Sequence, residues 1–330
     1  MFIRNLLNSF FKSQSKMLDS PFKYFAKCNI TNENTIKELN LMRKFKRLWR
    51  EKVNYTISNE KYLIEDLKII KKKKLAKAVV SIHHTFFINN TLDLHKSMEK
   101  QNYIFILKKK VFKWYIENVY IEDYFENIYN RISSLDIEII NNNYDDIKIN
   151  FWKNKLKDIE KLAKEYNIDS YKYRSNYFEK SFPMKYQPKK AVYYARKHAV
   201  HYNKSFMTFN NRGGDCTNFV SQCLNYGDLP MTSTWKPYSY SWIRVNELYY
   251  YLLRAGIGTD ITKDKYYKIG SVIQFYSNQK GFFSHSGIIT SALPNGDYLY
   301  CCHSRDKLDF PLSEIYPFFY EKFRVVEIVY

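Results

Sequence analysis

Glycine is missing from the first 212 residues; all nine glycines of this 330-residue chain lie at or beyond Gly213. Proline shows the same asymmetry, with seven of its eight residues at or beyond Pro183. The first part must therefore turn without the residue that enters left-handed backbone freely, whereas the second uses it repeatedly. Two domains are expected, one over residues 1–182 and one over 183–330. Long apolar runs are also missing. No window approaches the ~20 apolar residues of a membrane-spanning helix. The opening MFIRNLLNSFFKSQSKML does not sustain the apolar core of a secretory signal. Cysteine is scarce, and its count of five is odd. No spacing suggests a disulfide framework, so a reducing compartment is expected and the chain reads as cytoplasmic. Nucleic-acid motifs and internal repeats are likewise lacking.

What is present is apolar and basic. Hydrophobic residues make up 45% and aromatic residues 18%, a composition that folds. The formal net charge is +20. From Pro183 onward 18 Lys+Arg stand against 11 Asp+Glu, a net +7, which leaves +13 for the first 182 residues. That excess would suit a polyanion, whether cell-wall polymer, anionic membrane or nucleic acid. The plain alternative is a solvated lysine surface in a chain biased toward lysine, tyrosine, asparagine and isoleucine.

Hydrophobic periodicity predicts a helix over Thr35 to Val53, with Thr35 and Glu38 at capping-box spacing. Strand-like runs follow in YLIEDLKII, LAKAVVSIHHTFFI, NYIFILKK and FKWYIENVYI, with the lysine clusters 71–74 and 108–110 where hairpin turns belong. A further helix is expected over Phe151 to Tyr166 as a connector. In the second part, helices are expected from Pro188, from Cys216 to Tyr226 and from Val245 to Ala255, closed by Gly256. The strands SVIQFY, SHSGIITSA, YLYCCHS and FRVVEIVY come after them. Helices first and an antiparallel meander afterwards is an α+β order, so both domains are expected to be α+β.

The chemistry concentrates in GGDCTNFVSQCL. Gly213 and Gly214 permit a tight turn, and Asp215 is a suitable N-cap, its carboxylate accepting a helix-start N–H. Cys216 then becomes the first helical residue, beside uncapped N–H groups that lower a thiol pKa and can hold an oxyanion. Gly214, Asp215 and Thr217 are the candidate oxyanion and supporting residues. Cys223 falls on the apolar stripe of that helix and reads as core. A nucleophilic cysteine needs a base, and His285 in FFSHSGIIT opens an apolar strand. His303, ending the next strand, could sit beside His285 and fix its tautomer; Asp306 is the alternative third member. Cys301 and Cys302 point to opposite faces of a strand and read as packing. Zinc on Cys216, Cys223, His285 and His303 fits poorly, because structural sites bring ligands in tight knuckles. His83, His84, His95 and His201 read as structural or surface residues. No metal or cofactor is expected.

These blocks carry a resemblance. AVYYARKHA, GGDCTNFVSQCL, Trp235 with Ser241 and Trp242, GSVIQF, HSGIIT and HSRDKLDFPL stand in the order seen in the bacterial "putative amidase" domain, a branch of the NlpC-type papain-like cysteine hydrolases. The resemblance covers about Pro188 to Tyr330. It implies a papain-like fold, Cys216 as nucleophile, His285 as base, His303 as third member and a peptide or peptidoglycan-type amide as substrate. Ser271 departs from the usual aspartate after Gly270, Gly227-Asp228 from a second glycine pair and Ser304 from threonine. KKKVFKWYIENVYIEDY also resembles the small α+β domain that often precedes this one. Related enzymes commonly act on cell-wall peptides outside the membrane, so an extracellular location is the family-based alternative to the cytoplasm. The rival from another class is a catalytically silent papain-like binding module, or a basic adaptor that holds a polyanion through the first domain.

Overall fold

The computed structural model describes residues 2–15, 29–89, 94–140, 144–166, 185–210, 212–264 and 266–330. The chain separates into two compact units, Met1–Asn89 with Lys100–Ala163, and Asn90–Glu99 with Lys164–Tyr330. The expected boundary at 182/183 and Cys28 lie outside the described residues.

The first unit is α+β. Helix α1 (Ile3–Ser15) buries Leu6, Leu7, Phe10 and Phe11, the two phenylalanines meeting Phe105 edge-on. Helix α2 spans Glu33–Lys52. Its N-cap is Asn32, whose side chain accepts from the Asn34 and Thr35 amides, and not Thr35. Thr35 is buried and its hydroxyl is used on Glu117 O and Asn118, which removes it from capping. Four strands follow as an antiparallel meander: β1 (Thr56–Lys72), β2 (Leu75–Asn89), β3 (Leu94–Lys110, of which this unit holds Lys100 onward) and β4 (Lys113–Ile121). The β3–β4 turn falls at Val111 and Phe112, so Lys108–Lys110 belong to β3 rather than to the turn. Helix α3 (Glu126–Ser134) precedes α4 (Asp145–Lys157) and α5 (Ile159–Tyr166). The expected single connector is thus two helices parted at Asp158. Lys148 of α4 is fully buried against Glu38 of α2 at 2.6 Å.

The second unit places helices before strands. Helices α6 (Pro188–His198), α7 (Cys216–Tyr226), α8 (Tyr240–Ile243) and α9 (Val245–Arg254) come first. Strands β5 (Gly258–Asp260), β6 (Val272–Ser277), β7 (Phe282–Ala292), β8 (Tyr298–Cys302), β9 (Lys307–Pro311) and β10 (Phe323–Ile328) follow. They lie in the antiparallel order β9-β8-β7-β6-β10-β5, and residues Met98 and Glu99 add to β9. Phe219, Val220 and Cys223 of α7 pack with Trp235, Trp242 and Ile288 in one fully buried cluster. Gly287 of β7 is glycine by necessity, since a Cβ there would stand 2.9 Å from both the Cys301 carbonyl and the Tyr300 ring.

Candidate active site

The turn that presents Cys216 is built as its residues require. Gly213 and Gly214 have φ of 101° and 106°, where an L side chain is strained. The Gly214 N–H returns to the Phe209 carbonyl, and the Asp215 N–H donates to the Ser304 hydroxyl. Cys216 follows as the first residue of α7.

Asp215 occupies the N-cap position, but its carboxylate makes no cap bond. It accepts instead from the Phe209 N–H at 2.8 Å, from Asn218 Nδ2 at 2.9 Å and from His303 Nδ1 at 2.7 Å. The expected capping role is therefore replaced by a buried knot, because three stronger-placed donors converge on the same two oxygens. His303 completes the knot. Its Nε2 bonds the His198 carbonyl at 2.8 Å, and its ring stacks between Tyr202 and Phe219, at 3.8 and 4.1 Å between centroids.

Both ring nitrogens of His303 are thus occupied, and neither reaches His285. The sheet register accounts for this. Strand β7 pairs Ile288 with Cys301; continued past the end of β8, that register sets His303 opposite Ser286, on the α7 side. Asp306 is also engaged elsewhere, accepting from the Tyr202 hydroxyl at 2.7 Å.

Cys216 rests against the residue after His285. The Ser286 and Thr217 backbone N–H groups and the Thr217 hydroxyl all turn to its sulfur, and Thr217 Oγ1 lies 3.2 Å from Ser286 Oγ. Burial nonetheless pushes the Cys216 thiol above its ordinary pKa, with those three donors offsetting only part of the cost. The direction is opposite to that expected from the helix N-terminus, because Cys216 is buried, with 6% of the residue exposed. The ring of His285 lies beside Phe275 and Tyr320, at 5.8 and 6.2 Å between centroids, and those two rings meet each other at 4.9 Å. Burial first, then Arg305, Lys307 and Lys280, push its pKa down to about 3. Burial thus disfavours the charged form of both groups, the thiolate of Cys216 and the imidazolium of His285. Among the described residues no hydrogen bond joins the Cys216 sulfur to either nitrogen of His285.

Of the candidate oxyanion amides, Gly214 and Asp215 are already spent and Thr217 faces the sulfur. The N–H of Cys216 itself has no acceptor among the described residues. Cys223 and Cys301 are fully buried in the core, and burial holds both thiols well above their ordinary pKa. Among the described residues no three of His, Cys, Asp and Glu gather as metal ligands. His83 and His84 stand by Glu65 and Glu60.

Sequence reasoning missed Asn218 and Ser221, buried polar residues of α7. Asn218 accepts from Trp242 Nε1 at 2.9 Å while donating to Asp215. Ser221 donates to the Trp242 carbonyl and accepts from Trp235 Nε1 at 3.2 Å. Periodicity gave no signal for them, since Asn218 and Ser221 lie on the side of α7 away from Phe219 and Cys223, in a helix buried all round from Cys216 to Leu224.

Residues 185–325 match the family model described as "Putative amidase domain". The chain is 34% identical over 131 residues to the uncharacterized protein YjcM of Bacillus subtilis (strain 168), covering 37% of this chain and 31% of that one. It is 32% identical over 114 residues to the uncharacterized protein YhbB of the same organism, covering 31% and 36% respectively. The chain spans about a third of the length of these curated relatives. No solved structure matches it.

Proposed function

We propose that the second unit is a cysteine-dependent amide hydrolase of the NlpC-type papain-like kind, acting on peptide or peptidoglycan-type amides. The observation that carries this reading is the placement of Cys216 as the first residue of α7, on a double-glycine turn, within the stretch that matches an amidase family. In the proposed reaction His285 turns from its place beside Phe275 and Tyr320 and takes the thiol proton as sulfur bonds the amide carbon. The oxyanion forms at the Cys216 N–H. Collapse breaks the C–N bond, and the proton held by His285 leaves on the amine, giving a thioester. Water then attacks, again with His285 as base, and releases a carboxylate and the free thiol. His303 enters as a positioning residue, holding Asp215 and through it the start of α7. No metal or cofactor takes part in this scheme.

The test is release of new amines from peptidoglycan fragments and peptide libraries, with mass-spectrometric search for an acyl adduct on Cys216. An adduct absent from Cys216→Ala supports the reading. Turnover that survives in Cys216→Ala sinks it.

One observation favours a second reading, a silent papain-like binding shell: the sulfur and His285 are not bonded, and both are nearly closed to solvent. Retention of peptide fragments with no adduct and no amine release would select it.

A further inference from the structure

Two hairpin apices meet at one end of the first unit's sheet. Strand β1 turns into β2 through Lys73 and Lys74, and β3 turns into β4 through Val111 and Phe112. The Lys109 N–H bonds the Lys74 carbonyl at 2.7 Å, which fixes the apices side by side. Lys71, Lys72, Lys73, Lys74, Lys108, Lys110 and Lys113 are all exposed there, with Lys109 half-buried. Asp136 and Glu138 neutralise Lys72, at 3.4 and 2.7 Å, and Lys110 lies over the Tyr115 ring. The remaining lysines form a collar of one sign.

Inside that collar two apolar side chains project. Val111 is 82% and Phe112 84% exposed, so no packing within the unit retains them. Turn geometry does not ask for them either. Val111 sits at φ 53°, a left-handed conformation that a β-branched residue adopts only at a cost. The same unit places asparagine at such positions elsewhere, at Asn29, Asn54 and Asn59, and lysine at the neighbouring apex. A strained, exposed valine beside an exposed phenylalanine is explained by something outside the fold that takes them up.

A linear polyanion would need only the lysines. An anionic bilayer uses both features, since apolar side chains enter the boundary between headgroups and acyl chains while lysines meet the phosphates. We propose that this end of the sheet docks on an anionic lipid bilayer surface, with Val111 and Phe112 as the inserted tip and the lysine collar on the headgroups. The contact is peripheral, and among the described residues no helix is long and apolar enough to cross the membrane.

The full chain would be sedimented with vesicles of phosphatidylcholine mixed with phosphatidylglycerol, and with vesicles of phosphatidylcholine alone. Binding is expected to the anionic vesicles only. The double variant Val111→Asn with Phe112→Ser should weaken it by about tenfold or more, the loss of one buried aromatic side chain. Lys108→Glu with Lys113→Glu should weaken it further and reduce its dependence on salt. Trp114, beside the tip, should be quenched by lipid brominated near the headgroup. All variants change exposed positions, and unchanged thermal melting confirms their folding. Failure of the wild-type chain to bind overturns the proposal. So does equal binding by the Val111/Phe112 variant together with displacement by polyphosphate, which would make this a polyanion surface. Because Cys216 plays no part, neither result bears on amide hydrolysis.

Discussion

At the residue scale, Asp215 and His303 form a buried hydrogen-bonded knot at the start of α7. The Asp215 carboxylate and the His198 carbonyl face the two ring nitrogens of His303. Removing either partner strands a buried polar group, at a cost of about 3 kcal/mol or more. His303→Ala should lower the melting temperature accordingly, and His303→Gln, which keeps a side-chain donor toward Asp215, should recover part of it. Indifference to both changes would mean that the knot does not hold α7. Cys216 allows a second prediction at this scale. Its rate of alkylation by iodoacetamide should rise with pH through an apparent pKa above the ~8.5 of a free thiol. Thr217→Val removes the hydroxyl that favours the thiolate and should raise that pKa further. An apparent pKa below the free value would show that the resting site is a thiolate after all.

At the scale of elements, one buried carboxyl gathers Tyr166, Tyr298 and Ser313 within the second unit. Asp297, just before β8, accepts from the Tyr166 and Ser313 hydroxyls and from the Tyr298 and Ser313 amides. Burial raises its pKa to about 6, with those hydrogen bonds restraining the rise. The folded state then binds more protons than the unfolded one between pH 4 and 6, so this group removes stability as pH rises through that window. The shift amounts to about 3 kcal/mol. Asp297→Asn should abolish that part of the pH dependence, as read from urea unfolding midpoints at successive pH values. A variant that keeps the wild-type slope would assign the slope to another group. In the first unit the tie between helices α2 and α4 is the Glu38–Lys148 pair, and Lys148→Met should cost about 3–5 kcal/mol by leaving Glu38 buried and alone.

At the scale of the molecule, two buried groups pull the pH dependence in opposite directions. His285, held near a pKa of 3, makes the unfolded state the better proton binder from pH 3 to about 6.5, so its contribution to stability rises with pH. Asp297 acts the other way over an overlapping range. The wild-type melting temperature should therefore change little between pH 4 and 6, whereas His285→Gln should lose stability as pH rises and Asp297→Asn should gain it. Parallel curves for all three proteins would refute the assignment. Added salt should move the His285 titration only slightly despite the net charge of +20, because burial outranks the three nearby cations.

Much of this was legible before any coordinates. Helix α7 begins at Cys216 because two glycines and an acid leave no room for an earlier start, and α6 begins at Pro188 because proline suits a first helical turn. Alternation and lysine punctuation marked the four strands of the meander, and the order of helices before strands carried the α+β architecture. These are local properties, decided within a few residues along the chain. Helix α1, α3 and the short strands β5 and β9 were not seen, since their stability comes from what they pack against. The side-chain partners were not readable either. Asp215 as an N-cap and His303 beside His285 are both reasonable by spacing. The register of β7 on β8 and the burial of the Cys216 turn redirected them, because a buried polar group goes to whichever partner three-dimensional packing brings within reach. Sequence alone thus determined where Cys216 stands, at the head of α7. Only the tertiary structure decided its environment, since desolvation and hydrogen-bond competition depend on segments far apart in the chain.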